Sequence, residues 1–496
     1  MALNLSDLRN DLEAFAEALN REEYAARAGL KAESRAAPIR ERFAHLGSRD
    51  TFAEVRSAAS SASDPEERRR LTYLAEFLGA TVIEYRLRAR LDRLASAEAD
   101  QTIVADGEQL PLRSAEVRIK NEDDRARRAV FDRARCAAVS DLNGLRREIL
   151  EISHEEAQRL GFADYTACCT ALSGIDLAAL RDLVLPLLPR TRDAYQELLS
   201  WYLSRWAGTD PGRAHRHDLA RVFRAPALDG SLPPDRLREA AEAPARRMGI
   251  DPLAGGRIRV DDAPRPSKIS RAFVAAPRIP DEVILVVRPG GGPDDYAAYL
   301  HELGHALHFA HVDATLPVEY RRLGDPSVTE TYAFLFDGLL RERQWLRRFV
   351  GLSQPRDVLR FTALHKLWYL RRYAAKLDYE LLLHGGKSLR TVADAYRDIL
   401  TAATLVEWPR ELYLADVDPF FYAARYLRAW IFEAQLRDLL RERFDEEWYR
   451  NDRTGPFLRD LWRQGQRVTL EGLSEQLGIG PPTLEPLLKQ IFEDLG

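Results

Sequence analysis

Residues 290–311 read Gly290-Gly291-Gly292-Pro293-Asp294-Asp295-Tyr296-Ala297-Ala298-Tyr299-Leu300-His301-Glu302-Leu303-Gly304-His305-Ala306-Leu307-His308-Phe309-Ala310-His311. The three glycines break whatever precedes them. Pro293 suits a first helical position, where no amide donor is needed, and Asp294 and Asp295 favour the positive end of a helix. The pattern predicts a helix from Pro293, with His301 and His305 one turn apart on one face. Both rings then reach one tetrahedral metal ion, and Glu302 points beside it at an open position. Tyr296, Tyr299, Leu300, Leu303 and Leu307 supply the apolar contacts that hold such a helix in the interior. The segment therefore reads as half of a zinc site with a general base attached. The bland alternative is two core or surface histidines with an incidental glutamate between them.

The third ligand decides the type of site, and three residues stand at recognisable distances. His311 completes a metzincin spacing, but that motif needs glycine where this chain has His308, and a later methionine turn. The only methionines are Met1 and Met248, both upstream. Asp325 precedes Pro326 and a helical pattern, which makes it a better N-cap than a ligand. Glu330 lies one turn into the run Pro326–Asp337, which is mostly apolar, and a carboxylate there is costly unless paired or coordinated. Glu330 is the favoured ligand; a glutamate that merely favours the helix dipole is the competing explanation. Asp337, two turns on, could hydrogen-bond a ligand histidine, but an aspartate on a solvated helix face is the favoured reading.

The string His-Glu-Leu-Gly-His-Ala-Leu-His at 301–308, followed by Asp-Pro-Ser-Val-Thr-Glu-Thr at 325–331, resembles the gluzincin oligopeptidases of the thimet oligopeptidase and oligoendopeptidase F group. Leu316-Pro317-Val318 and Arg321-Arg322 between them are similar to the angiotensin-converting enzyme relatives. The resemblance implies zinc on His301, His305 and Glu330, with Glu302 activating water. It extends to Ser270–Pro277 and Val283–Val287, which resemble the family's small sheet beside the cleft, to Leu145–Tyr165, and to the terminal helices at 457–492. Independently, Val283–Val287 reads as a buried strand between Pro280 and Pro289, and an extended peptide can add to an edge of such a sheet.

Family members carry a histidine and tyrosines on a late helix that closes over substrate. Here Tyr413–Tyr426 contains Tyr422 and Tyr426 one turn apart, either of which can donate to a developing oxyanion. Aromatic residues at that spacing are also ordinary core. No histidine follows His384, so the family's histidine is absent or replaced, with Asp416 and Asp418 as the nearby candidates.

The rest of the chain bounds the answer. A length of 496 residues allows a large core, and a net charge of −4 argues against a general nucleic-acid binder. Cys136, Cys168 and Cys169 form no metal or redox spacing, which points to a reducing compartment. Leu5, Leu8, Leu12, Phe15 and Leu19 repeat at helical spacing among charges and read as a folded helix, not a leader. No run has the eighteen or so apolar residues of a membrane span. Helices are expected at Arg9–Leu19, Arg68–Leu94, Glu148–Leu160, Thr191–Arg205, Arg356–Leu382 and Arg425–Phe444. Prolines and glycines between about 208 and 257 mark irregular chain crossing between lobes, with His215 and His217 in solvated loop. His154-Glu155 lacks a second histidine.

The expectation is a mainly α, two-lobed metallopeptidase fold with a small antiparallel sheet beside the motif helix and a deep central cleft. An N-terminal helical lobe spans 1–207. A catalytic lobe spans 208–496, with the sheet at about 257–288 and the zinc-binding helices at about 293–349. The expected function is zinc-dependent hydrolysis of peptide bonds in short oligopeptides, of oligoendopeptidase or peptidyl-dipeptidase type, by a cytoplasmic monomer that binds neither nucleic acid nor membrane. The alternative is a helical scaffold whose site is structural or has decayed to peptide or metal binding.

Overall fold

The computed structural model describes residues 4–31, 33–386 and 388–495. The helices begin and end where side chains satisfy their free backbone groups. Asn4 accepts from the amides of Ser6 and Asp7 to start Leu5–Arg27, and Asp64 with Pro65 starts the long helix Pro65–Asp100. All six helices expected from periodicity are present, the last two as Arg356–His384 and Tyr422–Phe444. Among the described residues no helix is long and apolar enough to cross a membrane.

Strands Ile258–Asp261, Phe273–Arg278 and Glu282–Val286 form the small sheet, with Glu282–Val286 in the middle. Phe273–Arg278 pairs with it antiparallel (Phe273 opposite Val286), but Ile258–Asp261 pairs parallel (Ile258 opposite Val283). The expected antiparallel sheet is therefore mixed. The chain leaves Asp261 on an eleven-residue excursion, from 262 to 272, that is long enough to return the next strand reversed on the far side of the middle one. Phe273–Arg278 is an edge strand, and the helix Leu5–Arg27 packs on it, Asn20 accepting a hydrogen bond from the Ala276 amide. A second sheet, absent from the expectation, is the hairpin Thr102–Ala105 and Glu108–Pro111. Asp106 and Gly107 make its turn, both with positive φ.

The stretch 208–257 also departs from expectation. It holds two helices, Arg216–Arg224 and Pro234–Arg247, because Pro226, Pro233 and Pro234 flank helices rather than interrupt them, and Pro234 occupies a first turn. His217 is buried, not solvated, with Nδ1 3.4 Å from Asp132 Oδ2. The main apolar core runs from Leu8 to Ile491. A cleft of about 680 Å³ is lined by side chains from 116–224 and from 271–430, His301 and Glu302 among them.

Candidate metal centre

The helix Gly292–His311 starts after Gly291, whose φ of 80° gives the chain its turn into the first residue. It crosses the helix Pro326–Asp337, which is buried along its whole length from Ser327 to Phe336 and is covered on its other side by Tyr422–Phe444. Gly304 sets that crossing. A Cβ there would lie 2.6 Å from Ala333 Cα and 2.7 Å from the Tyr332 carbonyl oxygen, so only glycine lets the backbones meet this closely. The spacing brings Glu330 to the two histidines.

His301 Nε2 lies 3.3 Å and His305 Nε2 3.5 Å from Glu330 Oε2. Zinc bonds of about 2.1 Å in a tetrahedron separate their ligand atoms by about 3.4 Å, so these distances suit a shared ion. Among the described residues this is the one group of three or more potential ligands close enough to share a metal. Glu330 Oε2 is buried with no hydrogen-bond donor among the described residues, while Oε1 accepts from the Tyr422 hydroxyl at 2.7 Å. A buried carboxylate oxygen left bare between two ring nitrogens is a place for a cation.

The remaining ring nitrogens are held from behind. Asp337 Oδ2 lies 3.3 Å from His301 Nδ1, an acceptor that favours a proton there and leaves Nε2 to coordinate, and Thr329 Oγ1 lies 2.8 Å from His305 Nδ1. Burial alone would disfavour a charged His301, but Asp337 and Glu330 outweigh it and hold the imidazolium up to about 10. Burial likewise works to raise Glu330, yet His305 and His301 keep its carboxyl far below the usual range. Both shifts express one fact: positive charge between these groups is strongly favoured.

Glu302 lines the cleft beside His301 and has no hydrogen-bond or ion-pair partner among the described residues. Tyr426 also lines the cleft, and Tyr422, 5.0 Å from it between ring centroids, is turned instead to Glu330. The residues set aside from the sequence sit elsewhere. Asp325 caps its helix on the Ser327 amide at 2.9 Å and pairs with Arg428 at 2.8 Å. His311 Nδ1 is 2.7 Å from the Leu307 carbonyl oxygen. Asp416 is paired with Arg372, and Asp418 lies 2.8 Å from Lys376 Nζ. Sequence reasoning missed Thr329, although it adjoins Glu330, and the packing role of Gly304 inside the motif itself.

No family model matches this chain, and no curated protein does. Solved structures do. A Bacillus anthracis str. Ames protein described as an oligoendopeptidase F superimposes with a TM-score of 0.67 at 15% identity, over 99% of this chain and 90% of that one. The fold is the oligoendopeptidase F fold. A structure of PZ peptidase A with an inhibitor gives a TM-score of 0.64 at 15% identity, over 100% of this chain and 97% of that one. A Chlamydophila abortus structure described as a peptidase gives 0.66 at 11% identity, over 99% and 89%. The likeness read from residues 301–331 is thus matched by the course of nearly the whole chain.

Proposed function

We propose that this protein is a zinc-dependent peptidase that hydrolyses peptide bonds in short oligopeptides. The observation that carries the proposal is the convergence of His301, His305 and Glu330 beside a carboxylate, Glu302, that is free in the cleft wall. His301 and His305 would hold zinc through Nε2, and Glu330 through Oε2. Bound zinc supplies a Lewis acid that polarises a carbonyl and lowers the pKa of water towards about 7. Glu302 takes the proton that the attacking water gives up and delivers it to the departing amine. Tyr426, which also lines the cleft, would donate to the oxygen that becomes negative, while Tyr422 steadies Glu330. A cleft of about 680 Å³ takes a few residues of extended peptide and not a folded domain. Peptidase structures sharing the fold support the same substrate class.

Glu302→Gln tests the assignment. The variant is expected to bind zinc like the parent and to lose hydrolysis of a quenched fluorescent peptide library by about 10²-fold or more. Parent activity should vanish on chelation and return with zinc. Full activity in Glu302→Gln would overturn the role given to that residue.

A further inference from the structure

The residues that set Tyr422 in place form a chain of contacts leading away from the metal donors. Phe420 and Phe421, immediately before the helix Tyr422–Phe444, have φ of 54° and 52°. Left-handed backbone is uncommon for phenylalanine, and two such residues in succession persist only where their surroundings dictate it. Three rings provide those surroundings. The Tyr165 hydroxyl oxygen accepts a hydrogen bond from the Phe420 amide at 3.0 Å, and its ring packs 6.2 and 6.1 Å from the rings of Phe420 and Phe421. His384 lies 4.6 Å from Tyr165 and 5.0 Å from Phe421 between centroids. His154 closes the group, stacked on Tyr165 at 5.6 Å with its Nε2 2.8 Å from His384 Nδ1.

The 2.8 Å contact requires one ring to donate and the other to accept. Burial pushes both imidazoles toward the neutral form, His384 to about 3. Tyr165 and His384 are buried at 4% and 5% exposure. The residue that follows the left-handed pair is Tyr422, whose hydroxyl reaches Glu330 Oε1. The turn decides where the helix begins, and so where that hydroxyl stands.

We infer that Tyr165, His384 and His154 are positioning residues for the metal centre. They clamp the Phe420–Phe421 turn so that Tyr422 holds Glu330 with Oε2 facing His301 and His305. The inference rests on the zinc site proposed above. A ring cluster serving only as core would stabilise the fold and leave metal affinity untouched.

Zinc affinity, measured by competition with a chromophoric chelator, separates the two. Tyr165→Phe keeps the ring and removes the acceptor for the Phe420 amide; it is expected to weaken zinc binding about 10-fold, and Tyr422→Phe by 10- to 100-fold. Because Tyr165 acts through Tyr422, the double variant should bind no more weakly than Tyr422→Phe alone. His384→Ala is the second probe. Its ring borders an existing cavity of about 770 Å³ walled also by Tyr165 and Phe420, so the truncation enlarges an opening rather than sealing a void, and a loss like that of Tyr165→Phe is expected. Parent-like zinc affinity in Tyr165→Phe or in His384→Ala, or losses that multiply in the double variant, would overturn the inference and leave the zinc site standing. A parent chain that binds no zinc would overturn both.

Discussion

Gly304→Ala turns the helix crossing into a measurable quantity. The added methyl would sit 2.6 Å from Ala333 Cα and 2.7 Å from the Tyr332 carbonyl oxygen, both backbone atoms that no rotamer change can move. Ordinary contact needs about 3.5 Å or more between such atoms, so the two helices must part by about 1 Å. Overpacking of this kind costs about 1–3 kcal/mol. Spread over a chain of 496 residues, with about 1 kcal/mol/K of unfolding entropy, that lowers Tm by only about 1–3 °C. The site responds more steeply, because Glu330 rides on the displaced helix three residues before Ala333. A misplacement of about 1 Å costs about 10²-fold in rate. The expected variant is folded, melts within a few degrees of the parent, and has kcat/KM reduced about 100-fold with weakened zinc binding. Thermal melts, zinc competition and peptide turnover on one preparation check this. Parent-like turnover, or a collapse of the fold without a specific loss at the site, would refute the reasoning.

Asp337→Asn removes the anion behind His301 Nδ1 and is expected to weaken zinc binding 10- to 100-fold in chelator competition; unchanged affinity would show that the 3.3 Å contact carries nothing. Lys366 is buried against Phe334 and Trp430 with no hydrogen-bond acceptor among the described residues, and burial pushes its ammonium down to about 7 from 10.5. Folding therefore releases protons between those values, so the residue's contribution to stability rises with pH from about 7 to 10.5 and is least favourable below 7. Lys366→Met should raise Tm, by more at pH 6 than at pH 9; melts showing the larger gain at pH 9 would count against the buried charge.

The helices and the candidate metal-binding trio were legible where their causes are local. Gly290–Pro293 and Asp325-Pro326 punctuate the chain at the two helix starts that matter, and Glu330 stands out as a carboxylate in an apolar run. Asp337 reads more readily as a solvated helix-face aspartate, and its contact with His301 Nδ1 shows only in the fold. What escaped depends on partners far along the chain. Tyr422 reads as an oxyanion donor until its hydroxyl is seen on Glu330, 92 residues away. His217 and His154 look isolated because Asp132 and His384 lie 85 and 230 residues from them. The mixed sheet escaped because strand composition does not record which way the 262–272 excursion returns. The two helices within 208–257 were hidden by prolines read as interruptions, when Pro234 is a start.

The burial of Pro326–Asp337 between its two neighbours has a mechanical consequence. A helix packed on both sides cannot swing without disturbing both neighbours, so the carboxylate it carries is held by the close-packed interior. Three helices, 292–311, 326–337 and 422–444, thereby meet at one carboxylate, that of Glu330.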